Sequence, residues 1–220
     1  MTASEKAAYI FYYYKWHMLI TVIVLIALIS FINDRLNAKE TIFSITFINS
    51  GPADISRTSL VDDFSETLNE FDPSKQEILL ESGIWMDLDN PDPATIGYDE
   101  KMVASYTVGS IDATVADRAV IEKYAPFQAY ANLELLLPED LKEELSAKGY
   151  EFLYVEMESP VTGERAPVPV GVFVEKSLGD FFDPSNGHSP IYAISSNSSH
   201  VSCAIDFLRY LAENDPVRSD

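Results

Sequence analysis

The sequence is poor in the residues that cross-link small proteins or hold metals. Its 220 residues include one cysteine, Cys203, so no disulfide can form within the chain. The three histidines, His17, His188 and His200, form no paired zinc-binding motif. The sequence also contains no phosphate-binding glycine loop and no Gly-x-Ser-x-Gly motif of serine hydrolases. We therefore expect a protein that is not an enzyme and needs no cofactor.

Basic residues are scarce, with 15 lysines and arginines against 35 acidic residues. One acidic and two basic residues precede residue 34, so the remainder carries 34 acidic and 13 basic side chains, a net charge near −21. Such a charge repels phosphate backbones and anionic headgroups, so we expect no nucleic-acid partner. An acidic surface is typical of a well-solvated domain; attraction of cations or of a basic partner is the alternative.

Charge, glycine and proline are all missing from Met18 to Ile32. The uncharged stretch of residues 16–33 would span about 27 Å as a helix, close to the ~30 Å hydrocarbon core of a bilayer. Aromatic residues and Lys15 precede it, as is typical of the membrane interface. The sequence therefore predicts one transmembrane helix over residues 16–33, with the lipid bilayer as its partner.

The flanks of this segment predict its orientation. Two lysines and the terminal amine precede it against one glutamate, whereas the charges of residues 34–40 cancel. This bias predicts a cytoplasmic tail at 1–15 and an extracellular C-terminal domain on the plasma membrane. A cleaved signal peptide is the alternative, but the nearest candidate site, residues 36–38, has leucine where a small residue is required. An outer domain without disulfides is typical of Gram-positive bacteria.

Beyond a stalk at 34–40, residues 41–212 have the pattern of one α/β domain, followed by a flexible tail at 213–220. Runs rich in β-branched and aromatic residues predict strands at 41–49, 77–81, 111–115, 150–157, 166–175 and 191–195. Helical spacing and capping signals predict helices at 56–71, 99–108, 117–124, 138–149 and after Asn197–Ser199. The two prolines of 84–98 indicate a loop. Mostly alternating strands and helices predict a mixed sheet with flanking helices.

Several segments resemble a known family. Gly109 to Asp117 (GSIDATVAD), Leu133 to Leu145, Pro169 to Val174 (PVGVFV) and the ending from Tyr192 to Leu211 are similar to segments of bacterial extracellular solute-binding proteins. The resemblance implies a reduced solute-binding-protein-like domain whose strands deliver an acidic residue to a ligand cleft. The chain also resembles small single-pass membrane proteins of Firmicutes. The shared features are the aromatic residues and lysine before the membrane segment, the strand that follows this segment, and the stretch Asp87–Asp92 (DLDNPD).

The best candidates to line such a cleft are Trp85, Asp117 and Phe173. Ligands of α/β proteins commonly bind where strands end, and Asp117 follows a predicted strand. Two aromatic rings and a carboxylate would suit a sugar, an amine or a peptide. For Asp117, capping of the following helix is the alternative role.

An acidic loop offers a candidate metal site. Asp87, Asp89 and Asp92 could supply oxygens to a hard cation such as Ca²⁺, although Pro91 excludes the EF-hand pattern. A solvated turn with capping side chains is the alternative. His200 and Cys203 are three residues apart on the last predicted helix, where a buried cysteine is ordinarily a small hydrophobic residue.

Two functions are consistent with this pattern. The first is a membrane-anchored extracytoplasmic domain that binds or senses a small-molecule ligand beside a transporter, such as an ABC transporter, or a signalling partner. The alternative is a non-catalytic accessory subunit that uses the same domain as a protein–protein surface. The short predicted stalk favours a partner in the same membrane, because about eight extended residues reach only roughly 20–30 Å.

Overall fold

The computed structural model describes residues 3–36, 39–51, 59–158, 164–182 and 189–214. The chain divides into two compact units, Met1–Glu40 and Thr41–Asp220. This division coincides with the predicted start of the outer domain. Part of the predicted stalk, the predicted hairpin turn near residues 160–163 and most of the predicted tail lie outside the described residues.

Residues 3–36 of the first unit form one helix, α1 (Ala3–Leu36). Its segment Tyr12–Phe31 is long and apolar enough to cross a membrane, which is compatible with a single-pass anchor. The helix is longer than the predicted span, because it includes residues 3–15 and extends to residue 36. No glycine or proline interrupts this segment of the sequence, so helix formation continues past the apolar run in both directions.

The second unit contains a six-stranded sheet. Its strands are β1 (Glu40–Ile48), β2 (Gln76–Ile84), β3 (Ala113–Ala116), β4 (Phe152–Glu158), β5 (Arg165–Phe173) and β6 (Ile191–Ile194). The order across the sheet is β2-β1-β3-β6-β5-β4. β1 pairs parallel with β3, whereas the β3–β6, β6–β5 and β5–β4 pairs are antiparallel. The predicted mixed sheet is confirmed, and each predicted strand has a counterpart.

One edge of this sheet collects the C-terminal ends of four strands. The N–H of Asn49, just after β1, donates to the carbonyl of Ile84 at the end of β2. Ile191, at the start of β6, pairs with Ala116 at the end of β3 and with Phe173 at the end of β5. β1, β2, β3 and β5 therefore end together, and we call this side the carboxyl edge.

Helices cover both faces of the sheet. They are α2 (Leu60–Thr67), α3 (Pro93–Val108), α4 (Arg118–Tyr124), α5 (Leu133–Leu136), α6 (Glu139–Ala147), α7 (Glu175–Leu178) and α8 (Val201–Glu213). One buried cluster joins the sheet to α8 and α2, for example through Phe43, Phe64 and Phe207. The other joins it to α3 and α4 through Met102, Tyr106 and Ile121. The domain is thus an α/β sandwich.

Two predicted helix boundaries and one predicted helix cap are wrong. α3 begins at Pro93, inside the predicted loop, because Asp92 caps it by accepting the N–H of Thr95 (2.7 Å) and proline suits the first turn. α2 ends at Thr67 rather than at residue 71, since Leu68 is already extended. α8 has no side-chain cap from Asn197–Ser199, as Ser198 instead donates its hydroxyl to Asp112.

A chain of hydroxyl groups lies in the core beneath α3. The hydroxyl of Tyr106 lies 2.8 Å from Oγ1 of Thr114 and 2.9 Å from the hydroxyl of Tyr130. Burial raises the pKa of Tyr106 to about 12 and places the pKa of Tyr130 well above its ordinary value. These tyrosines therefore remain protonated in the folded domain under conditions in which the unfolded chain ionises them.

The domain should lose stability in alkaline solution. Because the folded-state pKa values are raised, the stabilising contribution is complete below the unfolded value of about 10 and falls as pH rises above it. We expect the free energy of urea unfolding to fall steeply between about pH 10 and pH 12. A Tyr106→Phe variant should show a shallower fall, as it lacks one ionising group. Equal pH slopes for the two proteins would contradict this explanation.

Candidate functional site

A cavity of about 420 Å³ opens at the carboxyl edge. It is lined by Asn49, Trp85, Met86, Asp87, Leu88, Asp89, Asp117 and Ala119. These residues come from the segments that directly follow β1, β2 and β3. Neighbouring strands whose C-terminal ends lie together place the loops that follow them side by side. Residues distant in sequence therefore line one cavity.

Asn49 joins the ends of all three strands. Its side-chain nitrogen donates to the carbonyl of Met86 (3.1 Å) and to Oδ2 of Asp117 (2.7 Å). Its side-chain oxygen accepts the N–H of Met86 (2.7 Å). Asn49 is buried and has a positive φ of 58°, a conformation that asparagine tolerates better than most residues. Sequence reasoning missed this residue, although a polar residue ending an apolar strand is a usable signal.

Asp117 is buried in the wall of the cavity and caps α4. Oδ1 accepts the N–H of Val120 (3.0 Å), while Oδ2 accepts the amide of Asn49. The predicted capping role is therefore confirmed. A direct contact from Asp117 to a ligand stays a prediction, and both carboxylate oxygens already accept hydrogen bonds within the protein.

The two predicted aromatic residues lie at the same edge in different surroundings. Trp85 follows β2 and lines the cavity with 48% of its surface exposed. Phe173 ends β5 and is partly covered by Arg118, whose guanidinium carbon lies 5.4 Å from the ring centroid. Arg118 also pairs with Glu122 (3.0 Å). The structure thus brings Trp85 and Asp117 into one cavity, whereas Phe173 packs against the start of α4.

The three predicted metal ligands do not converge. Oδ1 of Asp87 accepts the N–H groups of Asp89 (3.1 Å) and Asn90 (2.9 Å), which is the geometry of a capped turn. Asp92 caps α3, and the hydrogen bonds from Thr95 hold its pKa below the ordinary value. Within the described ranges, no three His, Cys, Asp or Glu side chains come together as a metal site. The alternative role, a capped turn, describes this loop better.

The opposite edge of the sheet contains a buried carboxylate. Oδ2 of Asp112 accepts the N–H of Ser44 (2.8 Å) and lies 3.1 Å from Nδ1 of His200. Its Oδ1 accepts the hydroxyl of Ser198 (2.7 Å). Asp112 therefore ties β1, β3 and the start of α8 together. Its role is that of an anchor for backbone and side chains.

His200 and Cys203 both line a second cavity of about 460 Å³ beside α8. Burial, together with the nearby carboxylates of Asp206 and Asp112, raises the pKa of the Cys203 thiol to about 12. The sulfur is therefore a neutral thiol near pH 7 and a poor nucleophile. This supports the role of a partly buried hydrophobic residue for Cys203.

The lining of the carboxyl-edge cavity is polar and acidic. Its described lining offers an indole, an amide and three carboxylates, and it contains no lysine or arginine. A cation or a neutral polar molecule would be favoured there over an anion. No protein-family model matches this chain, and neither curated proteins nor solved structures include a significant match to it.

Proposed function

We propose that this chain is a membrane-anchored binding protein whose outer domain captures a small amine-bearing solute at the carboxyl edge. The observation that carries the proposal is the cavity that places Trp85 beside Asp87, Asp89 and the buried Asp117. A protonated amine would rest its charge near the carboxylates and its apolar part on the indole. Both contacts favour a cation, through charge-assisted hydrogen bonds and through attraction to the aromatic face.

The architecture of the cavity supports binding without large rearrangement. Asn49 fixes the backbone of Met86, so the loop that carries Trp85 and Asp87 is held next to the end of β1. A preformed site avoids much of the ordering cost that weakens binding by flexible loops. The net charge of −20 also raises the local concentration of cations around the domain.

The proposed setting is the outer face of a plasma membrane. The apolar helix Tyr12–Phe31 is compatible with an anchor. The sequence segments that resemble solute-binding proteins would imply a role in capture or sensing. The proposed partner is a transporter or signalling protein in the same membrane. A non-catalytic accessory subunit remains the second candidate, in which the cavity would bind no solute.

Trp85 provides a direct test, because the chain has two tryptophans and Trp16→Phe leaves Trp85 as the sole indole reporter. The full chain in zwitterionic nanodiscs is titrated with primary and quaternary amines and with their neutral and carboxylate analogues. We expect a saturable change in Trp85 fluorescence with amines and little change with carboxylates. Asp89→Asn should weaken amine binding about tenfold, as it removes one charged contact.

Glu143→Gln is the matched control. Glu143 is exposed on α6 and is not a lining residue, so this variant removes the same charge without altering the cavity. If Glu143→Gln and Asp89→Asn weaken amine binding equally, the loss of affinity reflects general electrostatic attraction and not a contact in the cavity. Failure of every amine to produce a saturable change would rule out the proposed ligand class.

A further inference from the structure

A smaller cavity, of about 290 Å³, lies between the end of α3 and the turn that follows α4. It is lined by Val103, Tyr106, Thr107, Tyr124, Phe127, Gln128, Ala129 and Asn197. The described residues around it include no Asp, Glu, Lys, Arg or His, in a chain with 35 acidic and 15 basic residues. This cavity is therefore uncharged, whereas the cavity at the carboxyl edge is lined by three carboxylates.

We propose that this cavity is a second binding site, which takes a neutral, largely apolar molecule of about the size of indole. A charged ligand would have to leave water without gaining an opposite charge, which is costly. The cavity volume lies near the lower end of the range for small-molecule sites, so it suits one or two fused rings rather than a large ligand. This inference does not rest on the proposed function of the carboxyl edge.

Aromatic and aliphatic side chains supply the walls. The rings of Tyr106 and Tyr124 lie 5.4 Å apart between centroids and are tilted by 57°. Phe127 is 79% exposed and Val103 is 53% exposed, so apolar surface at the mouth is left in contact with water. A ligand that covers these two side chains gains the free energy of removing that surface from water.

The rim is held in place by hydrogen bonds from three segments. Asn197 donates its side-chain N–H to the carbonyl of Tyr106 (3.1 Å), and Ser196 donates its backbone N–H to the carbonyl of Ala129 (2.9 Å). Gly109 allows this closeness, because a Cβ there would lie 2.5 Å from the carbonyl oxygen of Asn197. The cavity is therefore preformed, which lowers the ordering cost of binding.

Gln128 has an unusual backbone conformation at the rim, with φ of 59°. Non-glycine residues seldom adopt this conformation, and it often occurs where a structure maintains strain at a binding site. Together with Thr107 and Asn197, Gln128 offers polar atoms at the rim. One hydrogen-bonding group on the ligand, such as the N–H of indole, would therefore find an acceptor.

The test uses the full chain in nanodiscs with ¹³C-labelled alanine methyl groups and indole as the probe. Ala129 lines the cavity, so its methyl signal reports on this site independently of indole dissolved in lipid. We expect a saturable shift of that signal with a Kd on the order of a millimolar or tighter. An indole carboxylate should bind at least about tenfold more weakly, because its charge would be desolvated.

Two tryptophan substitutions on α3 test the site: one fills the mouth of the cavity, and the other is its control. Val103→Trp places a large side chain at the mouth and should abolish the indole-induced shift. Val108→Trp adds the same side chain at a position that is 75% exposed and does not line the cavity, and it should leave binding unchanged. Unaltered alanine signals elsewhere in the spectrum verify that each variant is folded.

Three outcomes would overturn the proposal. The first is the absence of a saturable Ala129 shift up to the solubility limit of indole. The second is binding that survives Val103→Trp. The third is a shift produced by short-chain phospholipid but not by indole, which would identify an acyl chain as the occupant. Because Trp85 is not a lining residue of this cavity, failure here leaves the amine titration at the carboxyl edge unaffected.

Discussion

Asn49→Asp is expected to destabilise the α/β domain by about 4 kcal/mol near neutral pH. The substitution removes the amide that donates to the carbonyl of Met86 and to Oδ2 of Asp117. It also places a second carboxylate within hydrogen-bonding distance of a buried one, and two such groups cannot both ionise without a large penalty. The measurement is urea unfolding in nanodiscs, followed by Trp85 fluorescence in the Trp16→Phe background.

Two further substitutions separate the contributions at this position. Asn49→Ala should cost about 2–3 kcal/mol, because it leaves buried partners unsatisfied without adding charge. Asn49→Gly should cost somewhat less than Asn49→Ala, since glycine accepts the φ of 58° without strain.

The pH dependence gives a sharper test. In the Asn49→Asp variant the folded pair retains a proton that the unfolded chain releases above about pH 4, so stability should recover as pH falls towards that value. Asn49→Ala should lack this recovery. Identical pH profiles for the two variants would show that carboxylate repulsion is not the cause.

Phe207→Ala is expected to cost about 3–5 kcal/mol of unfolding free energy, the usual penalty for removing a buried aromatic ring. Phe207 is buried on α8, and its ring centroid lies 5.4 Å from that of Phe43 and 4.9 Å from that of Phe64. It also approaches Tyr192 (5.8 Å) and Tyr210 (6.0 Å). Its loss would leave a cavity where α8, α2 and the sheet meet. Urea unfolding should show a lower midpoint with an unchanged slope.

Phe127→Ala is the control for this prediction. It removes the same ring from a largely exposed position, so the expected cost stays within about 0.5 kcal/mol. Phe207→Leu should fall between the two, because leucine fills part of the space. A cost for Phe207→Ala no greater than that for Phe127→Ala would contradict the assignment of Phe207 to the core.

Much of this fold could be predicted because its strands and helices have clear periodic patterns. The β-branched and aromatic run of residues 41–49 becomes β1, and the helix predicted after Asn197–Ser199 becomes α8, whose apolar face is buried. The start of α3 could not be located by the same means. Prolines and Asp92 indicate a turn as well as a helix N-terminus, and the capping bond to Thr95 decides between them.

The candidate site was predictable only in part. Asp117 was expected after a strand and Trp85 was expected to line the same cleft, and the structure places both in one cavity. Asn49 was missed, since its partners lie 37 and 68 residues away and local patterns contain no such information. The acidic loop gave a misleading signal, because alternating aspartates look alike whether their oxygens face a cation or a neighbouring N–H group.

The strand order has a consequence for how the chain reaches its native state. β6 is the last strand in sequence, yet it lies between β3 and β5 in the middle of the sheet. A chain that emerges from its N-terminus, from the ribosome or across a membrane, can form β1–β3 and the β4–β5 pair only as separate halves. The two halves join when residues 191–194 arrive, and α8 follows directly. Folding of this domain is therefore largely postponed until residues 191–194 are available, which extends the period in which chaperones and proteases can act on the two halves.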